Sequence, residues 1–261
     1  MRWLFVHAHP DDETLSTGAI ISCLVSQGDT CSVLTATRGE MGEAVPGSLG
    51  PGQDLVTVRQ AERTSALAAL GADDAGWLGE GPNRWRGTET FTMTQGRGSE
   101  AADRVYTDSG MSWISPILAG PGPASGQDSL CSADLGEVVL DIVASATNHG
   151  AQALVSYDDA GGYGHPDHVR CHQATQTAAG RLGLPFFEIV DDPALADTWY
   201  EAGSLDDLLA VHRAYHTQFT VGIQDAQTPA DGAVADEMVI RHVGGQMDHI
   251  RAAAGLHLAH V

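Results

Sequence analysis

Hydrophobic and polar positions come in short blocks along this chain, and the blocks alternate in type. Trp3 to Ala8 is a brief, largely apolar run, the pattern of a strand covered on both faces. Pro10-Asp11-Asp12-Glu13 follows, and Pro with acidic residues suits the first turn of a helix. That helix is expected from Asp12 to Gln27, ending at Gly28. Thr30–Thr37 reads as a second strand, 39–52 as a glycine-rich loop and Leu55–Leu70 as a helix stopped by Gly71. From 79 to 133 periodicity dissolves into Gly, Ser, Pro and Thr, too long for an ordinary loop and read as an irregular insertion or cap. Order returns with a helix over Leu135–Asn148, a strand over Ala151–Tyr157, a polar glycine loop over 158–164 and a helix over Pro166–Leu182. A strand at Leu184–Val190 and a helix at Leu205–Tyr215 lead into a small mixed C-terminal part, 191–261.

Strands alternating with helices predict an α/β fold: a mostly parallel sheet with helices on both faces. No boundary divides the 261 residues, so the reading is a single domain with an insertion and a C-terminal extension. Ligands in such sheets bind outside the carboxyl ends of the strands. Two polar clusters fall there: His9 to Glu13 after the first strand, and Gly161 to His168 after the strand ending at Tyr157.

Composition narrows the chemistry. The formal charge is −21, and all 13 basic residues are Arg. So acidic a surface repels phosphate backbones and anionic membranes, which argues against nucleic-acid and membrane partners. Absence of Lys removes Schiff-base chemistry and any Walker-type phosphate site. Cys23, Cys31, Cys131 and Cys171 form no C-x-x-C pair and read as free thiols in a reducing compartment. The amino-terminal apolar run is too short for a signal peptide and no stretch suits a membrane span, so a cytoplasmic location is expected. Oligomeric state is not legible.

Both clusters have the form His-Pro-Asp followed by Asp or His: His9-Pro10-Asp11-Asp12 and His165-Pro166-Asp167-His168. A hydrolytic zinc takes three N/O ligands and keeps a fourth position open. His9 and Asp12 can reach one ion across a turn, and His168 can complete a His2Asp site that also accepts Fe2+, Co2+ or Mn2+. Such an ion acidifies water and polarises a carbonyl. Asp11, adjacent but not needed as ligand, is the candidate general base. His165, charged or neutral, and the Tyr163 hydroxyl are candidates to stabilise an oxyanion. Asp167 can orient His165 or a ligand histidine. The glycines at 161, 162 and 164 read as backbone freedom beside the metal. His7 alternates with His9 and faces away, as a packing residue or a support to the ligands.

The segments VHAHPDDETLSTGA and GGYGHPDHVRCH resemble the LmbE-like family, also called the PIG-L or GlcNAc-phosphatidylinositol de-N-acetylase family, over most of 1–182. The likeness is greatest to its mycothiol-pathway members. It implies a Rossmann-like fold, one catalytic zinc and hydrolysis of an acetamide on an N-acetylglucosaminyl substrate, a small amino-sugar conjugate. The resemblance assigns His9, Asp12 and His168 as ligands, Asp11 as base, and His165 and Tyr163 to the oxyanion. It adds Arg59 and Asp108 as substrate-binding residues. Arg84-Trp85-Arg86 and Asp108-Ser109-Gly110-Met111, contiguous in the mycothiol deacetylases, are separated here by an insertion. The family's His-x-(Ser/Thr)-Gln appears as Tyr215-His216-Thr217-Gln218, its His shifted by one.

Several functions fit these motifs: deacetylation of a GlcNAc-inositol, amidase action on a mycothiol S-conjugate, or tailoring deacetylation of another amino-sugar glycoconjugate. A non-catalytic metal-dependent module would keep the ligands without the base, yet Asp11 is present. A nucleotide-binding oxidoreductase would need G-x-G-x-x-G where His-Pro-Asp-Asp stands.

Overall fold

The computed structural model describes residues 1–87, 102–115, 118–123, 125–203, 205–224, 237–242, 247–249 and 251–259. Its centre is a seven-stranded sheet. The first strand, β1 (Arg2–His7), pairs in parallel with β2 (Thr30–Thr35) on one side and β6 (Ala153–Ser156) on the other. Beyond β2 lies β3 (Asp73–Trp77), and beyond β6 lies β7 (Phe186–Val190), both parallel. Two C-terminal strands, β8 (Thr198–Glu201) and β12 (Ala253–Ala259), complete the order β3-β2-β1-β6-β7-β12-β8. The chain steps outward from β1 in one direction through β2 and β3, then in the other through β6 and β7. The loops after β1 and β6 therefore part from each other and leave a crevice at the carboxyl edge.

Side-chain alternation along β1 divides the core. Trp3 and Phe5 point to one face, where α2 (Gly18–Ser26), α3 (Leu55–Leu70) and α6 (Leu205–Ala214) pack through Ile20, Leu67 and Leu208. Leu4 and Val6 point to the other face, against Val138 and Ile142 of α4 (Leu135–His149) and Ala174 and Ala178 of α5 (Pro166–Leu182). Helices cover both faces of a mostly parallel sheet, as the sequence pattern implies.

Three departures have local causes. The expected helix over 12–27 is two pieces, α1 (Asp12–Leu15) and α2, because Thr17 leaves helical geometry. Its hydroxyl donates to the Glu13 carbonyl and also meets His7 Nε2 at 3.0 Å. The edge strand β3 has two exposed acids and a glycine, and pairs with β2 through a register shift. That composition hides it from a hydrophobic pattern. In the C-terminal part, β12 (Ala253–Ala259) inserts antiparallel between β7 and β8 (Thr198–Glu201), making that edge mixed. A separate antiparallel sheet comprises β9 (Phe219–Gln224), β10 (Glu237–His242) and β11 (Met247–His249).

The described part of the insertion holds a hairpin, β4 (Met111–Ser115) with β5 (Leu118–Pro121). Its two flanks are tied to α4 by one buried carboxylate. Asp141 accepts from Arg84 Nη1 (2.9 Å), the Trp85 amide (2.8 Å) and the Tyr106 hydroxyl (2.8 Å). Among the described residues no helix is long and apolar enough to cross a membrane.

Candidate functional site

The two predicted clusters meet in the crevice between β1 and β6. Chain leaving β1 passes His9 and Pro10, then turns sharply at Asp11 (φ 108°, ψ −25°). Among the described residues Asp11 alone combines a side chain with positive φ. Such a conformation costs on the order of 1–3 kcal/mol and persists only where neighbours impose it. Here they do: the Asp11 amide donates to Glu13 Oε2 (3.2 Å), and the Pro10 carbonyl accepts from Gln218 Nε2 (2.7 Å). The Glu13 carboxylate is itself fixed by the hydroxyls of Tyr215 (2.6 Å) and Thr14 (2.8 Å).

After β6, a loop with positive φ at Gly161 leads to α5. A Cβ at Gly161 would lie 2.8 Å from the Val169 amide nitrogen, so no side chain fits there. His165 caps α5, its Nδ1 accepting from the Asp167 amide at 3.2 Å, and Pro166 occupies the first turn.

His9, His165 and His168 each place a ring nitrogen within 4.8 Å of the others. Asp12 touches two of the three rings: Oδ2 lies 3.3 Å from His9 Nδ1, and Oδ1 lies 3.4 Å from His168 Nε2. That Nε2 is buried and makes no hydrogen bond. A buried nitrogen beside a carboxylate oxygen, with two further imidazoles at hand, is a donor set that suits a divalent cation. On its far side His9 Nε2 faces Asp167 Oδ2 (3.2 Å) and Asp108 Oδ1 (3.5 Å). Asp167 is fully buried and also accepts from the Ser109 amide (2.9 Å). Of the two options open for Asp167, the structure thus shows contact with His9.

Electrostatics follow from this packing. Burial would raise the Asp12 pKa, but the nearby His168 and His9 rings outweigh it and hold Asp12 well below the usual range. Burial, then the adjacent Asp12 charge, pushes Asp11 well above that range against the pull of Arg59. Burial lowers His165 to about 3, with repulsion from His9 and His168 adding to it. Its Nδ1 accepts from the Asp167 amide, an arrangement that suits a neutral ring with the proton on Nε2. Partial burial at the cleft wall, followed by the charge of Asp12, raises the Tyr163 phenol and favours its protonated form.

The remaining expected residues also reach the cleft, which encloses about 940 Å³ and is lined by Asp11, Arg59, Asp108 and Tyr163 among others. The Arg59 guanidinium bonds the carbonyls of Gly39 and Glu43. Asp108 accepts from the amides of Gly110 (2.8 Å) and Met41 (3.2 Å). The insertion has not carried it away from the site. Tyr163 is 43% exposed, its ring 5.3 Å from that of His168.

Sequence reasoning missed Tyr157. Its hydroxyl accepts from the Ala8 amide (2.8 Å) and donates to Asp12 Oδ2 (2.7 Å). Its ring stacks on His168 at 4.0 Å and 6°. The signal available was only a tyrosine closing an apolar strand before a polar loop. His7 is buried, and burial lowers it to about 4.

Fold and site together define a class: a Rossmann-like α/β sheet with a His/Asp cluster at the divergence of its central strands, able to hold a cation. Residues 4–179 match the family model described as PIG-L, GlcNAc-PI de-N-acetylase, and the chain belongs to that family. It is similar to two curated proteins named 1D-myo-inositol 2-acetamido-2-deoxy-alpha-D-glucopyranoside deacetylase. Identity is 40% over 179 residues with that of Kineococcus radiotolerans, covering 68% of this chain and 44% of the relative. It is 38% over 185 residues with that of Mycobacterium sp. (strain KMS), covering 69% and 50%. The chain thus spans about half the length of these relatives. A solved structure, the zinc-inhibited form of teicoplanin deacetylase Orf2, matches with TM-score 0.50 at 20% identity, covering 82% of this chain and 84% of that one. At that identity the likeness speaks to the fold.

Proposed function

We propose that this chain hydrolyses the acetamide of an N-acetylglucosaminyl conjugate to acetate and a free amine, using one divalent ion, zinc in our reading. The observation that carries it is the convergence of His9, Asp12 and His168, with His168 Nε2 buried and unsatisfied 3.4 Å from Asp12. His9, Asp12 and His168 would hold the ion, because Asp12 supplies the anionic donor that three neutral imidazoles lack. When bound, the ion supplies Lewis acidity to water and to the amide carbonyl.

The chain's own groups do the rest. Asp11, strained at the helix entrance beside Asp12, accepts a proton from the attacking water on its carboxylate and returns it to the departing amine nitrogen. Its raised pKa brings it toward the range where a base works near neutrality. Neutral His165 donates a hydrogen bond from Nε2 to the developing oxyanion and keeps its proton, and Tyr163 adds a hydroxyl donor from the cleft wall. Asp167 holds the His9 ring. Arg59 and Asp108 bind sugar hydroxyls. The activity for which the relatives are named suggests a GlcNAc-inositol as substrate. The four free cysteines fit a reducing, cytoplasmic setting.

Asp11→Asn tests the assignment. Asn tolerates positive φ, so fold and metal content should persist while turnover of an acetamido sugar falls by about 10²–10⁴. Metal content is read by elemental analysis, and turnover by released acetate. Full activity in this variant would remove Asp11 from the chemistry, and wild-type protein without bound zinc would remove the metal site.

A further inference from the structure

Beyond the reacting groups, the cleft mouth carries apolar side chains that the reaction does not use. Directly after Asp108, the hairpin β4–β5 leaves Met111 40%, Trp113 48% and Ile114 69% exposed. Exposed large apolar side chains gathered beside a cleft mark a binding surface. Trp113 and Met111 line the same cavity as His9 and Asp11. The Trp113 ring lies 5.9 Å from Tyr163 at an interplanar angle of 36°. Tyr163 in turn lies 5.3 Å from His168 and 6.1 Å from His165. Aromatic rings thus lead from the histidines to the mouth in two steps. The register is fixed by the Ala119 amide of β5, which donates to the Tyr163 carbonyl at 3.0 Å.

We infer that Trp113, backed by Met111 and Tyr163, is a subsite for the aglycone, and that it takes a flat ring with an apolar face attached to the amino sugar. Polar hydroxyls are served deeper in the cleft by Arg59 and Asp108, while Trp113 offers a stacking plane and no competing charge. The inference rests on the deacetylase reading for the position of the sugar. It makes Trp113 a specificity residue: it selects which conjugate is bound and leaves the bond-breaking groups untouched.

Binding without turnover separates this inference from that reading. In an Asp11→Asn background, calorimetry measures 4-nitrophenyl N-acetylglucosaminide and methyl N-acetylglucosaminide against proteins with Trp113, Trp113→Phe and Trp113→Ala. The aryl glycoside should bind the Trp113 protein about tenfold more tightly than the Ala variant, with Phe close to Trp. The methyl glycoside should bind all three within about twofold. Equal loss for both glycosides, no loss for the aryl glycoside, or no binding of it to the Trp113 protein would overturn the subsite. None of these outcomes depends on whether wild-type enzyme hydrolyses either compound.

Discussion

Tyr157 shows how one side chain can set two others. Its hydroxyl is fully used, accepting from Ala8 and donating to Asp12, and its ring fixes the plane of His168. Groups of this kind hold metal ligands in a single rotamer, and their loss typically costs 10–100-fold in affinity. Tyr157→Phe keeps the stack and removes the hydroxyl, leaving Asp12 Oδ2 held by the His9 amide without its second donor. Zinc affinity, measured in competition with a chromophoric chelator, should fall about tenfold or more with an unchanged far-UV spectrum. Unaltered affinity would mean that Asp12 needs no such support. Sequence reading could name Asp12 and His168 because His-Pro-Asp motifs advertise them. Tyr157 has no motif: its role exists only once β6 lies beside β1.

At the scale of elements, legibility tracked burial on both faces. β1, β6, α3, α4 and α5 carry strong apolar runs or helical periodicity with glycine stops, and appear within a few residues of their expected bounds. β3 hid because an edge strand needs few apolar positions. The break at Thr17 hid because it depends on His7, ten residues away, meeting a hydroxyl. Antiparallel β12 hid because a single run of apolar residues carries no direction. The helix α6 makes its own prediction. His212 is buried there, one ring nitrogen bonded to the Leu208 carbonyl at 2.7 Å, and burial lowers its pKa. The native state therefore binds this proton less readily than the unfolded chain. The neutral ring carries no penalty above the unfolded value of 6.5, and stability is lost as pH falls below it. His212→Gln should flatten the fall in unfolding free energy, read by urea denaturation, between about pH 7 and about pH 5, by up to ~1.4 kcal/mol per pH unit. A variant with the wild-type slope would refute this.

For the whole molecule the dominant quantity is charge. With −21 formal charges on 261 residues, self-repulsion opposes the compact state. Raising ionic strength from about 0.02 M to about 0.3 M shortens the screening length severalfold and should lift the melting temperature by a few degrees. Calorimetry in sodium chloride checks the direction, and a fall on adding salt would point to attractive pairs as the larger contribution.

Asp141 has a consequence at the same scale. Because it grips the polypeptide at Arg84–Trp85 and again at Tyr106, Asp108 is delivered to its place regardless of how many residues run between the two anchors. Loosening that one grip would therefore free both flanks of the insertion together, and the carboxylate that follows them in the chain.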